Sequence, residues 1–181
     1  AHAAFAAREK LRPYSFETKA LKPFEVGIQI THCGICHSDI HLIDDDWKTS
    51  RYPLVPGHEV VGTVVGLGLA VEHLKIGQRV GVGWQSGSCM SCEWCLRGEE
   101  NLCVQNQATC VGRPGGFADR IITDSRFAFP IPDSLESENA APLLCGGITV
   151  YSPLRHYQVR PEMKVGVIGI GGLGHLALQF T

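Results

Sequence analysis

The chain has almost no excess of charge of either sign. Sixteen Lys and Arg stand against eighteen Asp and Glu, for a net charge of -2. No basic block stands out, which argues against a nucleic-acid binder held by phosphate neutralisation. Long hydrophobic runs are also missing: none approaches the roughly 18 apolar residues of a membrane-spanning helix. The Ala-rich start is broken by His2 and followed by Arg8 and Lys10. It lacks the apolar core of a secretory signal, so none is expected there. The composition, 44% hydrophobic and 19% charged, excludes intrinsic disorder. A length of 181 residues suits one large domain, or one domain and part of another.

Cysteine is plentiful, with eight residues, at 33, 36, 89, 92, 95, 103, 110 and 145. Cys89, Cys92, Cys95 and Cys103 follow the pattern C-x2-C-x2-C-x7-C, four thiols within 15 residues. Disulfides among such close neighbours would close small, strained loops. Thiolates presented by tight turns suit a tetrahedral Zn²⁺ instead. A disulfide knot or free thiols are the bland alternative. An iron–sulfur cluster is the sharper rival, but its bacterial motif continues with x3-C-P, whereas here seven residues intervene and Val104 follows. Zinc is favoured, and with it a reducing, cytoplasmic compartment.

Glycine is also enriched, 21 residues of 181, or about 12% against a usual ~7%. It punctuates short β-branched runs. Val26, Ile28 and Ile30 alternate with Gly27 and Gln29, a period-two strand leading into Cys33. Further strands are expected at residues 60–67, 79–84, 116–123 and 126–131, so this part of the chain is mainly β, a partly open barrel. Asp133 and Ser134 can cap a helix with Glu136 and Glu138 in its first turn, and Pro142 and Pro153 predict short or kinked helices. Residues 165–168 read as a compact apolar strand. The acidic triplet Asp44, Asp45, Asp46 reads as a solvated loop, since it lacks the alternating ligands of a calcium site.

Three further segments carry metal-ligand chemistry. Cys33-Gly-Ile-Cys36-His37-Ser38-Asp39-Ile-His41 packs thiols, imidazoles, a hydroxyl and a carboxylate into nine residues. Pro56-Gly57-His58-Glu59 places an imidazole directly after a turn, and Cys145 precedes Gly146 and Gly147. Each alone is weak, because a lone Cys or His is more often a packed core residue. Together they can form a Cys2His set with one open position, the arrangement of a catalytic zinc. Such a zinc polarises an alcohol or carbonyl oxygen, and the hydroxyl proton then needs a short relay to solvent. Ser38 and His41, three apart on one helical turn, can stand close enough to supply it. A hydride leaving carbon needs a nicotinamide acceptor. Its fingerprint follows at Gly169-Ile-Gly171-Gly172-Leu173-Gly174, a G-x-G-x-x-G between an expected strand and a helix start.

With these motifs in this order, the chain resembles the zinc-containing medium-chain alcohol dehydrogenases, a family that joins a GroES-like domain to a Rossmann domain. The resemblance runs over residues 24–181. Alcohol dehydrogenase is itself the standard instance of a Cys2His catalytic zinc, so agreement on that point belongs to the resemblance. It implies two Zn²⁺ per chain. The catalytic zinc would take Cys36, His58 and Cys145, with water or Glu59 completing the set. The structural zinc would take Cys89, Cys92, Cys95 and Cys103. Asp39 would orient His58. Ser38 and His41 would relay the proton, His37 would approach the coenzyme pyrophosphate, and Thr149 the nicotinamide. Trp47 and Trp84 would line a narrow pocket over the zinc, with core packing as the equally weighted alternative. Cys33 and Cys110 would be spectators, Cys110 a buried or half-buried free thiol. The segments around Gly57, Cys145 and Gly171 are similar to the cinnamyl-alcohol-dehydrogenase-like branch, which implies NADP(H) more than NAD(H) and a small alcohol or aldehyde substrate. The segment between Cys103 and Gly116 looks shorter than in plant members, and Gly146 often reads Ala in that branch.

The resemblance divides the chain into a GroES-like catalytic domain at 1–153, with a zinc lobe at about 86–105, and the start of a Rossmann domain at 154–181. A single strand and helix cannot build a parallel sheet. The expectation is therefore about half of a two-domain, homo-oligomeric enzyme, with residues 165–180 disordered or packed on another molecule. Two alternatives follow: a fragment that binds two zinc ions without turnover, and a zinc-independent quinone reductase of the same superfamily, disfavoured by the retained ligands.

Overall fold

The computed structural model describes residues 1–181. Its elements, in order, are β1 (His2–Ala3), β2 (Arg12–Pro13), β3 (Glu25–Cys33), α1 (His37–Asp44), β4 (Val60–Leu67), β5 (Arg79–Val82), β6 (Gln85–Gly87), α2 (Glu93–Leu96), β7 (Gln107–Ala108), β8 (Arg120–Asp124), β9 (Phe129–Pro130), α3 (Ser137–Pro142), α4 (Ile148–His156) and α5 (Gly172–Phe180). The main sheet is antiparallel in the order β8-β3-β4-β5-β9. Its outer strands β8 and β9 do not pair with each other, so the sheet is open rather than a closed barrel. Two small two-stranded sheets, β1-β2 and β6-β7, flank it.

The first half of β4 is buried on both faces, which explains its continuous apolar start, whereas Val65 farther along is exposed. Val60 and Val64 pack with Val26, Ile28, Val80 and Ile121 on one side. Val61 meets Ala140 and Ala141 on the other. Each fully buried valine of this kind contributes about 1.5–3 kcal/mol. A Cβ on Gly62 would lie 2.3 Å from the Gln29 carbonyl, so β3 and β4 approach more closely there than any side chain allows.

Several expected boundaries shift for identifiable reasons. The strand expected at 116–123 begins only at Arg120, because the preceding amides bond elsewhere: Gly116 N–H to the Gly57 carbonyl (2.7 Å) and Phe117 N–H to the Pro56 carbonyl (2.9 Å). The strand expected at 126–131 shrinks to β9. Asp124 accepts from the Arg126 N–H (3.0 Å) and caps a 3-10 turn, Ser125–Phe127, in its place. The strand expected at 79–84 ends at Val82. Glu136, not Asp133 or Ser134, stands at the N-cap position of α3, without a side-chain capping bond, because Leu135 N–H closes a turn on the Pro132 carbonyl (3.0 Å). Residues 165–168 form no strand and belong to no sheet.

The helical run from α3 to α4 is continuous but passes through a π-helical stretch at Leu143–Gly147. Pro142 just before it lacks an amide hydrogen, and a wider turn accommodates the missing bond. Cys145 sits in the middle of this stretch.

Candidate active site and metal centres

The β3–β4 ladder delivers the first two donors. Cys33 pairs with Val60 at its end, and the Gly34 N–H reaches the Glu59 carbonyl at 2.9 Å. Cys36, three residues past one strand, therefore meets His58, two residues before the other. Register shifts in β3 at Gly27/Ile28 and Ile30/His32 bend it toward this corner. Gly57 supplies the sharp entry to His58, with φ of 100° and no room for a Cβ beside Phe117. α3 packs Ala140 and Ala141 against Val61 of β4, and Leu144 of the π-helical stretch joins the same cluster, which carries Cys145 to the same place.

Asp39 organises the corner. It is 1% exposed. Its Oδ2 accepts from the Cys36 N–H (3.0 Å), and its Oδ1 accepts from the Gly57 N–H (2.9 Å) and from His58 Nδ1–H (3.0 Å). That last bond fixes the imidazole tautomer and leaves Nε2 as the free lone pair. His58 is fully buried, and its Nε2 has no hydrogen-bond partner in the protein. A buried orphan of this kind calls for a ligand. Donor atoms of Cys36, His58, Glu59 and Cys145 all lie within 4.8 Å of one another. The Cys36 and Cys145 sulfurs are 4.0 Å apart. Two thiolates on one tetrahedral Zn²⁺, each at ≈ 2.3 Å, lie about 3.8 Å apart. The residues present fit a zinc ion.

The electrostatics agree. Burial raises the Cys36 thiol, but the donors of Ser38 and His58 outweigh it and lower its pKa overall. Burial would lower His58, yet its bond to Asp39, together with the nearby Cys110 and Cys145 thiols, dominates and raises it, so a cation and a proton compete for the ring. Glu59 is raised, chiefly by burial.

The second group is tighter. Donor atoms of Cys89, Cys92, Cys95 and Cys103 lie within 4.8 Å of one another. Sulfurs of Cys89 and Cys95 are 3.8 Å apart, and those of Cys92 and Cys95 3.5 Å. All eight cysteines are free of disulfides. The lobe hangs between β6 and β7 and has almost no apolar core, so a metal would hold it in place of packing.

Around the first centre the side chains form a chain of rings. Trp84 meets His58 edge-on at 5.0 Å and Trp47 at 6.0 Å; Trp47 lies 5.3 Å from His41, which lies 4.7 Å from His37. Both tryptophans thus border the metal corner. No hydrogen bond joins Ser38 to His41. His41 Nδ1–H instead donates to Asp46 Oδ2 at 2.8 Å. Asp46, expected only as part of a solvated loop, is the residue that sequence reasoning missed. Asp45 takes the left-handed conformation at the end of α1, with φ of 56°, and turns the next carboxylate back over the helix. Cys33 is half-buried against Gly57 and Gly116, outside both donor groups, and burial pushes its thiol up to about 12. Cys110 is fully buried, with its sulfur within 4.8 Å of donor atoms of Asp39 and His58.

At the nucleotide fingerprint, Gly169 has φ of 86°, and a Cβ on Gly174 would lie 1.9 Å from the Gly169 carbonyl. The turn therefore has the tight, side-chain-free form a pyrophosphate needs. The faces of Gly171 and Gly172 are open, with nothing within 4 Å, and α5 starts directly behind them with Leu173 in its first turn. The segment fits a dinucleotide. Thr149 and His37 are both exposed.

Comparison with known proteins decides the family. The alcohol dehydrogenase GroES-like domain matches residues 22–133. The chain belongs to that family. Within it the chain falls in the zinc-containing, cinnamyl-alcohol-dehydrogenase-like branch. It is 49% identical over 180 residues to an aldehyde reductase of Synechocystis, covering 99% of this chain and 54% of that protein. The sorghum cinnamyl alcohol dehydrogenase SbCAD4 superposes with a TM-score of 0.94 at 42% identity, over 99% of this chain and 54% of that one. A Helicobacter pylori cinnamyl alcohol dehydrogenase, solved with NADP(H), gives 0.93 at 38% identity over the same shares. The chain spans about half the length of the relatives it matches.

Proposed function

We propose that this chain carries the catalytic domain of a zinc-dependent alcohol dehydrogenase or aldehyde reductase that passes hydride between a primary alcohol or aldehyde and NADP(H). Residues 1–153 form the GroES-like catalytic domain, and 154–181 open the nucleotide-binding domain. The whole protein works as a cytoplasmic homo-oligomer. The observation that carries the proposal is the buried, unpartnered His58 Nε2 facing two thiols 4.0 Å apart. NADP(H) is favoured over NAD(H) because the Helicobacter pylori relative was solved with it.

Cys36, His58 and Cys145, with Glu59 or water beside them, would hold a zinc ion whose contribution would be Lewis-acid polarisation of the substrate oxygen, and a bound nicotinamide would supply the hydride chemistry. The chain's own groups do the rest. Asp39 fixes the His58 ring so that only Nε2 faces the metal. Trp84 and Trp47 wall the approach and receive an apolar substrate body. Asp46 orients His41 by holding its Nδ1–H, which keeps Nε2 open to take or return the hydroxyl proton. Ser38 adds a hydroxyl on the same face of α1. His37 and Thr149 face the coenzyme, and Gly169, Gly171, Gly172, Leu173 and Gly174 cradle its pyrophosphate. Cys89, Cys92, Cys95 and Cys103 hold the structural zinc.

Metal analysis tests this directly. Two zinc ions per chain are expected, falling to one in His58→Ala. A metal-free protein would overturn the proposal and favour the zinc-independent reductase. A protein that includes the coenzyme domain should oxidise NADPH with an aromatic aldehyde. The 181-residue chain alone should bind both zinc ions with negligible turnover, because residues 165–168 have no sheet around them to position a nicotinamide. Robust turnover by that chain alone would refute the division into domains.

A further inference from the structure

A second cavity lies away from the metal corner. It measures about 560 Å³ and opens between the N-terminal segment around Phe16–Lys22 and the loop from Asn106 to Pro114, with β8 as its floor. The same loop carries Cys110 inward to His58 and Asp39, so the cavity lies back to back with the catalytic centre.

Its charge is lopsided. Lys19, Lys22, Arg113 and Arg120 line it, against Glu17 and Glu25. Lys22 and Glu25 satisfy each other, with Nζ and Oε1 3.8 Å apart and the Lys22 N–H donating to Oε2 at 2.9 Å. Lys19, Arg113 and Arg120 form no ion pair, which leaves three cations for one carboxylate. Arg113 is the unusual one. It is half-buried, and its guanidinium donates only to neutral oxygens, Ser86 Oγ at 3.1 Å, Gln107 Oε1 at 3.5 Å and the Ile122 carbonyl. Burial lowers its pKa, only partly offset by the charge of Glu25. A partly desolvated guanidinium that no carboxylate contacts directly is a costly arrangement, and an anion relieves it. Phe16, Val111, Ile121 and Ile122 supply apolar wall beside these cations. A bare inorganic ion would leave that surface unused; an anion on an apolar body covers both.

We propose that this cavity is a second, non-catalytic binding site for a small organic anion, whose carboxylate or phosphate lies among Lys19, Arg113 and Arg120 and whose apolar body rests on Val111 and Ile122. Guanidinium groups bind both kinds of anion by the same forked geometry, so the two are separated by experiment.

Three probes share one apolar body: benzoate, phenyl phosphate and benzyl alcohol. Each is titrated into the zinc-loaded 181-residue chain and followed by amide chemical shifts. Saturable binding of benzoate or phenyl phosphate below about 1 mM is expected. Shifts should centre on Arg113 and Ile122, and the tighter of the two names the anion. Benzyl alcohol should bind this site at least about tenfold more weakly. The double variant Lys19→Gln, Arg120→Gln changes two exposed side chains and should weaken anion binding at least about tenfold while both zinc ions stay bound. The proposal is overturned if neither anion saturates these resonances by about 10 mM. It is also overturned if benzyl alcohol binds there as well as the anions, if the double variant binds them undiminished, or if the shifts centre on Trp84 and Cys145.

Discussion

Asp39 shows how much one side chain carries at this site. It hydrogen-bonds to both halves of the metal corner, through Cys36 on one side and Gly57 and His58 on the other. Asp39→Asn keeps an acceptor but loses the charge and can reverse the His58 tautomer. Zinc affinity at that centre should fall by about 10–100-fold while the four-cysteine site keeps its ion. Chelator competition, read as zinc per chain, checks this. The spectator thiols give a second residue-scale prediction. Burial pushes Cys33 up to about 12 from an ordinary 9.0, and raises Cys110 as well. The folded state therefore favours the protonated thiol. Its contribution to stability is complete below pH 9 and is lost as pH rises from there toward about 12. At pH 8 both thiols should resist alkylation in the zinc-loaded protein, as peptide mass mapping can show, and Cys33→Ala should flatten the alkaline limb of a stability–pH curve. At this scale most of the site was legible in the sequence, because zinc chemistry restricts the residue types and the four-cysteine spacing is local. Asp46 was not legible: its role depends on a left-handed turn at Asp45 that composition does not signal.

At the scale of elements, β4 and the zinc lobe behave oppositely. β4 is held by apolar packing on both faces, and its bounds follow from the run of Val, Gly and Thr alone. Gly62→Val would drive a side chain into the Gln29 carbonyl and should cost at least about 3 kcal/mol, seen as a lower urea midpoint. The lobe between β6 and β7 has only a four-residue helix and a 3-10 turn, so the metal is its main restraint. Stripping zinc with a chelator should release amide protection through residues 88–103 while β3, β4 and β5 keep theirs. Loss of protection in the sheet as well would show that the lobe supports the core. The expected strands at 116–123 and 126–131 were misjudged in their bounds because capping and turn bonds competed for their amides. For the first, the partners lie far along the chain, at Pro56 and Gly57; for the second, the local cap at Asp124 takes the amide of Arg126.

The whole molecule is uneven in its order. The sheet and metal corner are packed, whereas the last stretch is open: Ile168 and Ile170 are exposed, as are Ile148 and Tyr157 on and after α4. α5 keeps a foothold, with Leu173 and Leu176 near Gly146 and Phe180 against Tyr151 at 5.7 Å. The apolar sequence at 165–168 reads as a strand but forms none, because a strand exists only with a neighbour, and the sequence of one segment cannot supply it. In dilute solution, proteolysis should cut first between residues 157 and 171, leaving a resistant core that retains both zinc ions. First cleavage inside 24–131 would contradict this.

The three bonds to Asp39 also bear on how quickly the site loads. With Cys36, Gly57 and His58 already clamped, the donors stand assembled before any ion arrives. Uptake then requires no search by the chain, only the shedding of water from the ion and of protons from the thiols. Zinc entry at this corner should therefore be first order in free ion and insensitive to viscosity, whereas capture by the loose four-cysteine lobe should slow as the solvent thickens.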